Sequence, residues 1–362
     1  MFLIDAHQDL AWNILTFDRD YTLSAAEIRR HEIGSDTPAL NGDTLLGWPD
    51  YQKGRVAVIF SSLFAAPLHR KQGEWDKLCY DNIAQAYTLY NQQLDVYHRL
   101  TEEHPNKFSL VQTQTDLKAV LDHWEKADQE SHPVGLVILM EGAEAINQIS
   151  ELENWWDRGV RLIGPAWTGT RFCGGTREPG PLTKEGYALL EGMASWGYVL
   201  DLSHMDEQAA LQALDMYPHT IVATHANAAA LLPGVDSNRF LSDRLIRGLI
   251  ERDGIIGIIP FNRFLKWGWT PADGREAVKL SEVVAQIDYI CQIAGDAHHV
   301  GIGSDFDGGF GLQSTPSELD TIADLQKIAP LLEDRGYTEE NIAAIMGENW
   351  LSLMRQTLPE DL

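Results

Sequence analysis

Three of the twelve histidines in this 362-residue chain close apolar runs of strand length: His7 ends FLIDAH, His204 ends YVLDLSH and His225 ends TIVATH. Carboxylates fall at comparable points. Asp9 follows His7 in HQD, Glu141 closes GLVILME, and Asp305 and Asp307 leave a further run in GIGSDFDG. Side chains two apart on an extended strand point the same way, so His7 and Asp9 can grip one ion from a single strand. Imidazole nitrogens and carboxylate oxygens are the ligand set of Zn²⁺ or a similar divalent ion. Three imidazoles and two or three carboxylates are too many for one four-coordinate ion that stays open to water. Two ions about 3.5–4 Å apart, bridged by a carboxylate and a hydroxide, would use them all. Taken singly, each of these residues has a plainer reading: a strand-end histidine as a hydrogen-bonded core residue, and DFDG as an Asx turn, which is the reading preferred for Asp307.

The elements that must position these groups are eight apolar runs, each bounded by turn residues and followed by a segment of helical spacing. They run from Phe2 to His7, Arg55 to Phe64, Gly135 to Glu141, Val160 to Trp167, Tyr198 to His204, Thr220 to His225, Ile255 to Phe261 and Val300 to Asp305. Helices are predicted over Glu74 to Leu100, Thr115 to Lys126, Lys184 to Trp196, Asp206 to Met216, Ser242 to Arg252 and Lys279 to Ala294. Strands alternating with helices imply a parallel sheet, and runs such as VAVIF and IIGIIPF suit one buried on both faces. Eight units close into a (β/α)₈ TIM barrel, with extra C-terminal helices over Ser317 to Leu332, Thr338 to Met346 and Trp350 to Thr357 packed outside it. The whole span, 1–362, reads as a single domain. Barrel active sites lie where strands end, so His132, His219, His298 and His299, which precede strands, fall at the opposite, stabilising face. His31, His69, His98, His104 and His123 fall in helices or loops as solvated or capping residues. Two stretches, Asp18 to Gly54 and Phe172 to Leu182, are long for barrel connections, and long loops often carry function.

Composition narrows the ligand. With 53 Asp+Glu against 28 Lys+Arg the net charge is −25, which repels phosphate backbones and anionic lipid and argues against nucleic acid or a membrane as partner. Small molecules and cations remain. Three scattered cysteines, Cys79, Cys173 and Cys291, are too few for a disulfide framework or a thiolate zinc site and suit a reducing compartment. With no secretory or transmembrane pattern visible, a cytoplasmic location is expected. Phosphate-loop, nucleophile-elbow and zincin-helix motifs are absent from the sequence.

Taken together, HQD, the strand ending in EGAEAI, LDLSHM, ATHANAAAL, GIGSDFDG and the closing IMGENWLSLMR resemble, in order and spacing, the membrane dipeptidase (renal dipeptidase, M19) family of metallopeptidases. The resemblance implies a (β/α)₈ barrel with two zinc ions that hydrolyses dipeptides. By that likeness His7 and Asp9 hold one zinc, His204 and His225 the other, and Glu141 and a hydroxide bridge them; Asp305 is the acid/base residue, and Arg239, in NRFLSD, holds the substrate's carboxylate. A homodimer is what the family suggests. One departure stands out. Where the family commonly has a histidine contacting the scissile carbonyl, GPAWTGTR places Trp167, whose indole donates one hydrogen bond but cannot accept one or shuttle a proton. Either Trp167 or Arg171 donates to the developing oxyanion, or the substrate differs. The alternatives are therefore a dinuclear hydrolase of another small amide or N-acyl amino acid, and a catalytically inactive metal-binding barrel.

Overall fold

The apolar runs pair side by side in parallel as β1 (Leu3–Gln8), β2 (Val56–Phe64), β3 (Val134–Glu141), β4 (Val160–Gly164), β5 (Val199–Asp201), β6 (Ile221–Val222), β7 (Ile256–Ile258) and β8 (Val300–Ile302). The structure, a computed structural model, describes residues 1–126 and 131–361; positions 127–130 and 362, within the expected domain, lie outside the described residues. Each strand neighbours the next in sequence, β8 returns to β1 through Asp5 and Ile302, and an Ala223–Ile256 bridge joins β6 to β7. At that seam Ala223 N donates to Ile255 O at 3.0 Å and Gly257 N to Ala223 O at 2.8 Å. The close approach needs glycine: a Cβ on Gly257 or Gly303 would lie 1.9 or 1.8 Å from Thr224 O. A short strand, Phe108–Leu110, adds to the start of β3.

β1 and β3 are buried at every residue, and β2 at all but Phe64, as expected of strands with helices on one face and the barrel interior on the other. The covering helices are α1 (Leu10–Phe17), α2 (Ile83–Glu103), α3 (Gln114–Glu125), α4 (Lys184–Trp196), α5 (Glu207–Met216), α6 (Asp243–Glu251), α7 (Leu280–Ala294) and α8 (Asn349–Thr357). Local chemistry sets several starts: the side chains of Asn82, Thr113, Thr183, Asp206 and Ser242 each accept a backbone N–H of the first turn. Among the described residues no helix is long and apolar enough to cross a membrane.

Four expectations are corrected. The helix predicted from Glu74 begins only at Ile83, where Asn82 caps it, because Cys79–Tyr80 instead pairs with Ala66–Pro67. The stretch from Asp18 to Gly54 folds into three short helices, Ala25–His31, Thr37–Asn41 and Trp48–Gly54. The stretch from Phe172 to Leu182 is an antiparallel hairpin of Cys173–Gly175 and Glu178–Leu182. The last two predicted helices are one continuous rod, Glu339–Ala343 passing through a π-helical turn, Ala344–Glu348, into α8. From α8 the side chains of Asn349 and Trp350 donate to Val300 O at 2.8 Å and Ile302 O at 3.1 Å, fastening the rod to β8.

Candidate metal centre

Several strands are shorter at their carboxyl ends than the apolar runs suggest. His204, His225 and Asp305 each lie three residues beyond the last residue of β5, β6 and β8. Buried carboxylates take over from the ladder there. Asp201 Oδ1 accepts from Ser203 N at 3.0 Å and Thr224 N at 2.9 Å, and Asp5 Oδ1 accepts from Ser304 N at 2.6 Å. These side-chain bonds bend the chain inward and aim the following residue into the mouth. Asp305 and Asp307 adopt left-handed backbone, φ 56° and 65°, a conformation Asp tolerates better than most residues.

The result is convergence of six expected groups. His7 Nε2 lies 3.7 Å from Asp9 Oδ2, 3.6 Å from Glu141 Oε2 and 3.9 Å from Asp305 Oδ1. Glu141 Oε1 lies 2.9 Å from His204 Nε2 and 3.3 Å from His225 Nε2. The two oxygens of one carboxylate thus face two separate donor sets. Asp9 is further held by the Ser62 hydroxyl, and Gly308 leaves the room both outer carboxylates need: a Cβ there would lie 2.2 Å from Asp305 Oδ1 and 2.7 Å from Asp9 Oδ2.

Hydrogen bonds outside the cluster assign the tautomers. Thr224 Oγ1 donates to Asp201 Oδ2 at 2.5 Å and so accepts from His225 Nδ1 at 2.9 Å, leaving the Nε2 lone pair facing inward. Thr176 Oγ1 stands 3.0 Å from His204 Nδ1 and 3.4 Å from His204 O, and so steadies that ring from the outer side. The two Nε2 atoms are 3.0 Å apart. Two lone pairs at that distance repel unless a cation or proton lies with them. His7 has neither ring nitrogen hydrogen-bonded although the residue is fully buried, an arrangement that is costly without a ligand.

Electrostatics agree. Burial keeps His204 neutral, with Arg239 assisting, at a pKa of about 4; burial and then His7 push His225 well below the usual imidazole range. Burial would also discharge His7, but Glu141, Asp9 and Asp305 outweigh it and raise that pKa to about 10. Burial lifts Asp9 to about 6 against the pull of His7, and lifts Asp305 well above the usual carboxylate range, with Asp9 and Glu141 adding to it. Glu141 stays below the usual carboxylate range despite its burial, chiefly through the positive charge on His7. Two neutral imidazoles, and His7 once it gives up its proton, set among three carboxylates, form a donor set that fits divalent cations.

The remaining candidates sit around this cluster. Arg239 is buried behind it, donating from Nη1 to Ser203 O at 2.6 Å and from Nη2 to His225 O at 2.8 Å, while its Nε has no partner. Trp167 stands at the mouth, its ring centroid 6.3 Å from that of His204. Arg171 is turned away, bonded to Glu144 and Glu185 and to the carbonyl of Ile146. Asp307 points away too: it accepts from Tyr21 Oη at 2.7 Å and Leu45 N at 3.1 Å and pairs with Arg19 at 3.0 Å, tying the Asp18 to Gly54 stretch to the barrel. Of the structural histidines, His219 reaches Ala194 O at 2.9 Å and His299 reaches Gly254 O at 3.0 Å. Asp201, Thr224, Thr176, Ser62 and Gly308 join the site without being singled out by the sequence pattern. Thr224 and Asp201 had a signal in their adjacency to ATH and LSH, whereas Thr176 reaches His204 only because the hairpin folds back.

The membrane dipeptidase family (peptidase family M19) matches residues 1–360. A protein of undefined role from the pqqA 5′ region of Klebsiella pneumoniae is 30% identical over 276 residues, 73% of this chain and 94% of its own. Dipeptidase ataJ of Aspergillus terreus is 28% identical, with 88% of this chain and 79% of its own covered. A metallo peptidase from Rhodobacter sphaeroides, solved with a phosphinate mimic of the dipeptide L-Ala-D-Ala, superposes with a TM-score of 0.78 at 23% identity over 99% of each chain. That likeness shows a shared barrel fold.

Proposed function

The chain belongs to the membrane dipeptidase family, and from that premise we propose that it is a dinuclear zinc dipeptidase, hydrolysing the amide bond of dipeptides. The observation that carries the proposal is Glu141, whose Oε2 faces His7 and whose Oε1 faces His204 and His225. His7 and Asp9 would hold one ion, His204 and His225 the other, and Glu141 both. When bound, such a pair supplies Lewis acidity and draws the pKa of water towards neutrality.

The other steps fall to the chain's own groups. An amide leaves poorly as an anion, so its nitrogen needs a proton. Asp305, with a raised affinity for protons and its Oδ1 3.9 Å from His7 Nε2, would take the proton released from the attacking water at a carboxylate oxygen and return it to the departing amine. Arg239, with an unpartnered Nε beside the ligand loops, would hold the substrate's terminal carboxylate, favouring short, free-ended substrates. Asp201 and Thr224 fix the ring of His225, and Thr176 that of His204.

Turnover of a dipeptide panel, including D-configured C-terminal residues, by protein carrying two zinc ions per chain tests the reading; absence of turnover of every member with both ions bound contradicts it. Trp167 favours a second reading, in which the same centre cleaves another small amide or N-acyl amino acid. That reading gains if N-acyl amino acids are hydrolysed and dipeptides are not.

A further inference from the structure

Five aromatic side chains form a connected wall along one half of the barrel mouth. Trp167, just past the end of β4, has its ring centroid 4.9 Å from that of Phe64, the last residue of β2. Phe64 and Gly164 are the register partners of Glu141 on either side, so the two rings bracket the strand that presents the bridging carboxylate. Trp167 packs close to that strand's exit: a Cβ on Gly142 would lie 3.8 Å from Trp167 Cβ. From Phe64 the wall continues to Trp12 at 6.4 Å, then to Trp75 at 6.2 Å, on which Phe17 stacks at 5.5 Å. Trp12 lies on α1, directly after Asp9, and its indole N–H is buried without a partner. Phe17, Phe64, Trp75 and Trp167 are only half-buried.

Contiguous apolar surface left open beside a charged centre marks a place that something apolar covers. The strand order says which part of a substrate that is. The wall comes from the exits of β1, β2 and β4, whereas Arg239 follows β6 and Asp305 follows β8 on the other half. A substrate whose carboxylate points to Arg239 therefore lays its acyl-side residue against the rings. Building on the hydrolase reading above, we propose that this wall determines specificity: the site selects small amides whose acyl-side residue carries an aromatic or bulky apolar side chain. Trp167 serves as a face of that wall, in place of a polar contact to the carbonyl.

The test uses zinc-loaded enzyme and the ratio of kcat/KM for phenylalanyl-glycine over alanyl-glycine. The wild type is expected to favour the phenylalanyl substrate by about tenfold or more, since even a single methylene in an apolar pocket gives roughly tenfold. Trp167→Ala should lower that ratio by about fivefold or more, chiefly through KM, with zinc content unchanged. Trp167→Phe, which keeps a ring but lacks the indole N–H, should hold the ratio within about twofold; an equal kcat loss on both substrates would instead make Trp167 a polar donor and overturn its place in the wall. Trp75→Ala, distant from the ligands, gives a second reduction should Trp167→Ala fold poorly. Calorimetric binding of phosphinate mimics of Phe-Ala and Ala-Ala reads the same preference without turnover. Absence of hydrolysis therefore contradicts the dipeptidase reading alone, equal binding or equal turnover of the two members contradicts the wall, and binding of neither mimic contradicts both.

Discussion

Glu141 and Asp305 are both carboxylates at the mouth, and their surroundings give them different work. Glu141 is held ionised chiefly by the charge on His7, which suits a ligand, whereas Asp305 has an elevated proton affinity, which suits a proton carrier. Glu141→Ala is expected to abolish loading of both ions, while Asp305→Asn keeps them and lowers kcat by about 10² or more; metal analysis beside steady-state kinetics separates the two, and metal loss in the Asp305 variant would reassign it. Thr224→Val removes the acceptor of His225 Nδ1 and should weaken zinc binding by about 10- to 100-fold, read by competition with a chelator. His7 gives a pH signature. With its pKa raised to about 10 by the carboxylates around it, the metal-free protein carries a proton on His7 at neutral pH, and a zinc ligand must lose it. Calorimetry in buffers of different ionisation enthalpy should show about one proton released from this residue on loading near pH 7, and affinity should rise with pH up to about 10. Without metal the sign reverses: that proton's contribution to stability is complete below the ordinary value of 6.5 and is lost as pH rises towards about 10.

The strand exits show what an element contributes beyond its residues. At the exit of β8, Asp305 N donates to His7 O at 3.1 Å and Gln8 bridges to Phe306, so the strand of His7 and Asp9 and the proposed proton carrier are registered to each other by backbone. Gly308 completes that turn. Gly308→Ala would push a methyl group against Asp305 and Asp9, and is expected to retain the far-ultraviolet circular dichroism of the barrel while losing zinc at the His7 and Asp9 position. Much of this was legible in the sequence because parallel strands buried on both faces leave unbroken apolar runs, and because His7, Asp9 and Glu141 stand at their ends. The ends of β5, β6 and β8 were not legible. There the apolar pattern continues past the ladder, and only the fold shows that Asp201 and Asp5 replace backbone partners. The hairpin was hidden for another reason: EPGPL carries two prolines and no alternation, and it is held by tertiary bonds from Glu178 to Arg70 and His69 on the β2 exit.

Across the whole molecule, candidate ligands drawn from residue 7 to residue 225, with Asp305 beyond them, meet at one end of one barrel in a chain of net charge −25. A net charge of that sign favours cations over polyanions as partners, so the bulk charge and the local donor set favour the same kind of ion. Closure of the seam at Gly257 and Gly303, and the return of α8 to β8, fix the exits of β1, β3, β5 and β6 relative to one another; a site assembled from four strands depends on that closure more than on any single contact. The proposed activity therefore requires two cations that share Glu141. Anomalous diffraction at the zinc edge from crystals of zinc-loaded protein tests this directly. The predicted result is two peaks at the mouth, one among His7, Asp9 and Glu141 and the other among His204, His225 and Glu141. No peak there under zinc saturation, or a single peak that leaves either histidine group without an ion, would contradict it.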